Sequence, residues 1–171
     1  MIGNHPVYLR ALEPDDLDLI FRWENSPALW EVGNIHAPLS RQLLYDYIDS
    51  YDADIFSRKQ LRMIIVESDT GEPAGTLDIT GYDPVNRRAE IGIMIDAARR
   101  GKGYAAEALR LAADYCRDRL GMCQLWCVVA EDNRPSLCVF ENAGFTTVGT
   151  LRSWLRRGKH YVDACMMQLL L

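Results

Sequence analysis

The strongest constraint on the fold lies between residues 88 and 120, where the hydrophobic period changes across a short basic loop. Over Arg88–Asp96 the apolar residues alternate, with Ala89, Ile91, Ile93 and Ile95 on one side and Glu90, Gly92 and Met94 on the other. From Ala105 the period becomes helical, through Leu109, Ala112, Cys116 and Leu120, and Gly121 closes the run. A period of two followed by one near 3.6 specifies a strand and then an amphipathic helix. A helix that follows a strand this closely returns the chain to the same sheet, so a parallel neighbour is expected.

The flanking segments supply that neighbour and the remainder of a mixed sheet. Strands are expected at 8–11, 61–67, 74–81, 88–96, 124–130, 145–151 and 161–169, and helices from Pro14, after Ser40, from 101–103 and over 135–142. The element order β-α-α-β-β-β-α-β-α-β-β predicts an α/β chain of the α+β mixed-sheet kind, folded as a single domain over residues 1–171. At 171 residues with 49% hydrophobic composition, a substantial core is affordable, and a disordered or coiled-coil chain is excluded. The opening residues lack the pattern of a signal peptide and no apolar run reaches the ~18 residues of a membrane span, so a soluble cytoplasmic protein without a membrane partner is expected.

The five cysteines (116, 123, 127, 138, 165) lie within apolar runs and read as buried free thiols. The three histidines are scattered and complete no metal set, so no metal is expected. The net charge of −5 argues against a nucleic-acid partner, yet it hides an asymmetry. Residues 1–86 carry 15 acidic and 6 basic side chains, whereas residues 87–171 carry 9 acidic and 13 basic. The apolar final segment Cys165–Leu171 is a candidate edge strand for pairing in a homodimer or higher homo-oligomer.

The chemistry is concentrated in Asp96-Ala-Ala-Arg-Arg100-Gly-Lys-Gly103-Tyr-Ala105-Ala. Unpaired amides at a helix start bind anions, glycines allow close approach, and Arg99, Arg100 and Lys102 add charge, so a pyrophosphate is the natural ligand. Gly101-x-Gly103-x-x-Ala106 also meets the dinucleotide fingerprint, and a ligand-free glycine turn has the same spacing.

Downstream stands Asn133-Arg-Pro-Ser136, followed by Phe140 and Gly144-Phe145. Together with Arg100-x-x-Gly103-x-Ala105, it resembles the GNAT superfamily of acetyl-CoA-dependent N-acetyltransferases. The resemblance implies the GNAT fold with splayed central strands, opening between strands 89–95 and 124–130. It implies acetyl-CoA as co-substrate, held by backbone at Ile93, Met94 and Ile95, by Arg100, Gly101, Lys102, Gly103, Tyr104 and Ala105, and by Asn133, Ser136 and Phe140. Glu90 becomes the first candidate base, with a salt bridge to Arg87 or Arg88 as its alternative; Asp78 is the second. Many relatives carry tyrosine at the position of Phe140, whose hydroxyl protonates the departing thiolate; here Ser136 is the substitute donor. The opening Leu9–Asp16, the strand at Arg87–Glu90 and the hairpin at Gly158–Asp163 are similar to those of spermidine N-acetyltransferases. The opening and hairpin are shared with acetyltransferases of ribosomal-protein N-termini. The resemblance thus implies a small polyamine-like amine, with Glu24, Glu31 and Asp78 as substrate-binding candidates, or alternatively a protein N-terminus or an aminoglycoside. The span 32–38 lacks the acidic cluster of the polyamine enzymes. A non-catalytic acetyl-CoA-binding module is the alternative of another class, suggested by Phe140.

Overall fold

Seven strands form one sheet in the order β1-β2-β3-β4-β5-β7-β6 in the computed structural model, which describes residues 5–27 and 37–171. The strands are β1 (Val7–Ala11), β2 (Gln60–Glu67), β3 (Pro73–Asp83), β4 (Arg88–Ile95), β5 (Gln124–Ala130), β6 (Thr146–Arg157) and β7 (His160–Leu170). All pairings from β2 to β6 are antiparallel except β4 with β5, the parallel pair that the strand-to-helix transition called for. The helices are α1 (Leu17–Glu24), α2 (Arg41–Asp49), α3 (Ile55–Arg58), α4 (Tyr104–Asp118) and α5 (Arg134–Asn142).

The chain divides into two compact units, Ala11–Ala53 and the remainder. In the smaller unit, Glu13 and Asp16 form a reciprocal capping box around the 3-10 turn Pro14–Asp16. Ser40 caps α2 by accepting from the Leu43 amide at 3.1 Å. Asn25 ends α1 and ties the chain across to Leu39: its Nδ2 donates to the Leu39 carbonyl at 3.0 Å and its Oδ1 accepts from the Leu39 amide at 2.8 Å. Leu12, Ile20, Trp23, Leu44 and Ile48 are among its buried residues, and Arg41 stacks on Phe21.

In the larger unit, α4 supplies Ala108, Leu109, Ala112 and Cys116 to a core shared with Leu77, Ile79, Ala89, Ile91, Leu125 and Cys127 of the sheet. α5 adds Leu137 and Phe140. The alternation read from β4 is borne out, since Ala89 and Ile91 are buried while Glu90 is half-buried and Gly92 is exposed.

Three expectations are corrected. Cys165–Leu171 is no edge: β7 lies between β5 and β6, and the outer strand is β6, whose residues are mostly exposed. A long antiparallel hairpin let the last two strands exchange the places their sequence order suggested. Of the five free cysteines, Cys116 and Cys127 are buried but Cys123 and Cys138 are exposed. Cys123 precedes β5 and so does not share the inward face of Cys127. The start of α4 is Tyr104, because Ala97–Arg99 forms a separate 3-10 turn and Gly103 takes a left-handed φ of 77°. The short helix α3, capped by Asp54 Oδ1 on the Phe56 amide at 3.0 Å, was not foreseen; a four-residue helix offers no periodicity to read.

Candidate active site

β4 and β5 hold together over three residue pairs, Arg88 with Gln124, Ala89 with Leu125 and Glu90 with Trp126. Beyond that point each keeps its outer neighbour. β4 continues against β3 to the Gly75–Ile95 pair, and β5 continues against β7 to Ala130–Ala164. The expected opening between the central strands therefore begins immediately past Glu90. Backbone N–H and C=O groups of Ile91–Ile95 on the side facing the gap have no strand partner there, and Ile93, Met94 and Ile95 are half-buried. Unpaired backbone groups in such a setting require a ligand or water.

Glu90 occupies the branch point. Burial pushes its carboxyl above the ordinary glutamate value, and no cation among the described residues counters the effect. Both arginines that could have neutralised it are used elsewhere. Arg87 Nε donates to the Gly121 carbonyl at 2.6 Å, and Arg88 Nε lies 3.4 Å from Asp83 Oδ2. Trp126, half-buried on the facing strand, is its cross-strand neighbour, a residue that the sequence did not single out. The adjacent Cys127 thiol is pushed up to about 12 by burial and then by the Glu90 charge, so it stays a thiol.

Asp78 pairs with Gly92 in register and therefore shares the Glu90 face of the sheet. Its carboxylate is held by Arg62, whose Nε and Nη2 donate to Oδ1 and Oδ2 at 2.7 and 3.1 Å. Both of its oxygens are thus occupied by the guanidinium fork, which ties the side chain to β2. Arg62 was not flagged in the sequence, because its partnership depends on the β2–β3 register.

The loop after β4 is built as the glycines suggested. Asp96 Oδ1 accepts from the Ala98 amide at 3.0 Å, and Gly101 and Gly103 adopt φ values of 78° and 77°, where a side chain would be strained. The Glu107 amide is the first to find a helical acceptor, Gly103 O at 3.2 Å, which leaves the first-turn amides of Tyr104, Ala105 and Ala106 directed out of the helix. Arg100 folds back to donate through Nε to the Ile95 carbonyl at 3.1 Å. The Tyr104 ring is buried and its hydroxyl donates to Glu67, so its backbone alone is available to a ligand. A groove of about 500 Å³ runs beside the helix start, with Lys102, Gly103, Ala106, Glu107, Arg110 and Asn142 among its lining residues.

Asn133 is the N-cap of α5, its Oδ1 accepting from the Ser136 amide at 3.3 Å, and Ser136 is half-buried in the first turn. Phe140 is 3% exposed and meets Phe145 edge-on with centroids 5.1 Å apart, so the ring is a packing residue of the core. Glu24 ends α1 in the smaller unit, and Glu31 lies outside the described residues. Among the described residues no three His, Cys, Asp or Glu side chains converge as a metal site, and no helix is long and apolar enough to cross a membrane.

Residues 7–146 match the family model described as acetyltransferase (GNAT) domain. The chain belongs to the GNAT acetyltransferase family. This GNAT enzyme is thus an acetyl-CoA-dependent N-acetyltransferase, which displaces the non-catalytic module suggested by Phe140. It is 31% identical over 151 residues to a spermidine N(1)-acetyltransferase of Escherichia coli, covering 88% of this chain and 78% of that one. It is 27% identical over 162 residues to an uncharacterized N-acetyltransferase, p20, of Bacillus licheniformis, covering 95% and 91%. In fold, the GNAT enzyme superposes on the crystal structure of the Vibrio cholerae spermidine N-acetyltransferase in complex with CoA and spermine. The TM-score is 0.86, with 24% identity and coverage of 96% and 95%.

Proposed function

We propose that the enzyme acetylates a small polyamine-type amine of the spermidine or spermine kind by direct attack, with Glu90 as the base. The observation that carries the mechanism is the half-buried Glu90 carboxylate, free of both neighbouring arginines, at the point where β4 and β5 part. The polyamine reading is supported by the 31% identity to the Escherichia coli spermidine N(1)-acetyltransferase and by the acidic excess of residues 1–86, which suits a cationic acceptor.

At pH 7 an alkylamine of pKa ~10.4 is protonated, and freeing its lone pair costs about 4.6 kcal/mol. A carboxyl raised above its ordinary value is a better proton acceptor for that task than a fully solvated one. Acetyl-CoA supplies the thioester carbonyl that the amine attacks. The amine nitrogen–carbon bond forms as the carbon–sulfur bond breaks; of the two protons the ammonium nitrogen sheds, Glu90 takes the one that frees the lone pair and the second passes to the departing thiolate. The unpaired edge of β4 at Ile93, Met94 and Ile95 holds the pantetheine amides, and Arg100, Gly101, Gly103 and the first-turn amides of α4 hold the phosphates. A thiol of pKa ~8.5 leaves readily, and the Ser136 hydroxyl or water serves it in place of the hydroxyl that Phe140 lacks.

Thiol release from acetyl-CoA, measured across spermidine, spermine, a peptide with a free N-terminus and an aminoglycoside, tests the acceptor. Turnover highest with the polyamines is expected. Turnover confined to the peptide or the aminoglycoside would overturn the polyamine reading.

A further inference from the structure

Glu67, the last residue of β2, is 7% exposed and carries more partners than any other carboxylate described above. Lys102 Nζ lies 2.9 Å from its Oε1, and the Thr70 hydroxyl donates to Oε2 at 2.8 Å. Arg99 Nη1 and the Tyr104 hydroxyl complete the set. The bonds from Tyr104, Lys102 and Thr70, in that order, hold the carboxyl down to about 2. Its backbone is fixed in the β2–β3 turn, with the Glu67 amide donating to Glu72 O and the Gly71 amide to Glu67 O, both at 2.9 Å.

Three of these partners belong to the phosphate loop and flank both of its left-handed glycines. Arg100, by contrast, has no carboxylate partner among the described residues and bonds a backbone carbonyl. The loop cations thus fall into two kinds. Arg99 and Lys102 are tied to the sheet, whereas Arg100 is left for a ligand.

We propose that Glu67 is a positioning residue for the phosphate loop, anchoring Arg99, Lys102 and Tyr104 so that Arg100 and the α4 amides are set for the CoA phosphates before binding. This rests on the loop being the phosphate site. The cost of arranging a glycine-rich loop is met by folding rather than by the ligand, which favours affinity. Two effects of opposite sign compete at this position. A carboxylate next to a phosphate site repels the ligand, so deleting its charge alone would tighten binding. Losing the anchor releases the loop and would weaken it. Four partners on a buried carboxylate make the second effect the larger.

The sign therefore decides. In Glu67→Gln the Kd for CoA, measured by calorimetry, is expected to rise about tenfold, the scale of one charge-assisted hydrogen bond. KM for acetyl-CoA should rise with it while kcat at saturation stays within about twofold, a split that a general loss of folding would not give. Unchanged or tighter CoA binding overturns the proposal. Tyr104→Phe removes one donor without changing charge and should weaken CoA binding several-fold; it serves if Glu67→Gln fails to fold, and unchanged binding there counts equally against the anchor. Arg100→Ala separates the two levels. If it weakens CoA binding while the Glu67 and Tyr104 variants do not, the anchor alone is refuted; if it has no effect, the loop is not the phosphate site and the proposal falls with it.

Discussion

Gly75 stands where β3 passes the gap-lining end of β4, and replacing it by alanine tests whether that close approach shapes the acetyl-CoA site. A Cβ there would lie 2.0 Å from the Met94 carbonyl oxygen and 3.0 Å from Ile95 Cα. A carbon–oxygen contact needs roughly 3.3 Å, so β3 and β4 must separate locally by about 1 Å. The obstructing atoms are backbone and cannot rotate away, which places the cost toward the upper end of the ~1–3 kcal/mol of overpacking. Against this, alanine gains about 0.4–1 kcal/mol by restricting the unfolded chain. The clash wins, with a net loss of about 2 kcal/mol and a fall in Tm of roughly 4–8 °C for a chain of this size. Gly92 is the control. Its added Cβ would meet nothing within 4 Å, so Gly92→Ala should raise Tm by about 1–4 °C. Thermal unfolding gives both values, and steady-state kinetics should show KM for acetyl-CoA rising in Gly75→Ala, because Met94 and Ile95 line the opening. Equal Tm values for the two variants, or an unchanged KM in Gly75→Ala, would refute the reasoning.

Glu90, the proposed base, and its neighbour Asp78 give further expectations. Glu90→Gln should lower kcat by about 10²–10⁴ while sparing CoA affinity, and unchanged kcat would remove Glu90 as the base. The acid limb of the wild-type kcat/KM profile should lie above the ordinary glutamate value of 4.5, because the folded pKa is raised. The same shift makes the ionised carboxylate unfavourable in the folded state above that pKa, so Glu90→Gln should gain stability at pH 7 and none at pH 4. Asp78→Asn should cost about 1–3 kcal/mol in chemical denaturation by loosening the partly buried Arg62 fork, with kcat largely retained; a loss of kcat matching that of Glu90→Gln would return Asp78 to the catalytic machinery.

Much of the site was legible in the sequence because it is local. The alternation of β4 placed Glu90 opposite the core-facing Ala89 and Ile91, and Gly101 and Gly103 announced a turn that only glycine adopts comfortably. Asn133 and Ser136 stand three apart, so the capping contact between them is readable as spacing. The partners of these groups were not legible. That Arg62 rather than water holds Asp78 follows from the β2–β3 register, and that Glu67 holds Arg99, Lys102 and Tyr104 joins positions 32 to 37 residues apart.

By itself, the sequence determined the mixed α/β element order apart from the short α3, the glycine-rich turn after β4 and the side of β4 on which Glu90 stands, since each follows from periodicity or from the φ a residue can adopt. Only the tertiary structure decided that the salt bridges from Arg87 and Arg88 do not form and that Phe140 is spent on the core. It also placed β7 inside the sheet and ended the β4–β5 pairing at Glu90. Those outcomes depend on which distant groups compete for the same partner, and strand pairing across the chain settles that competition where local pattern has no voice.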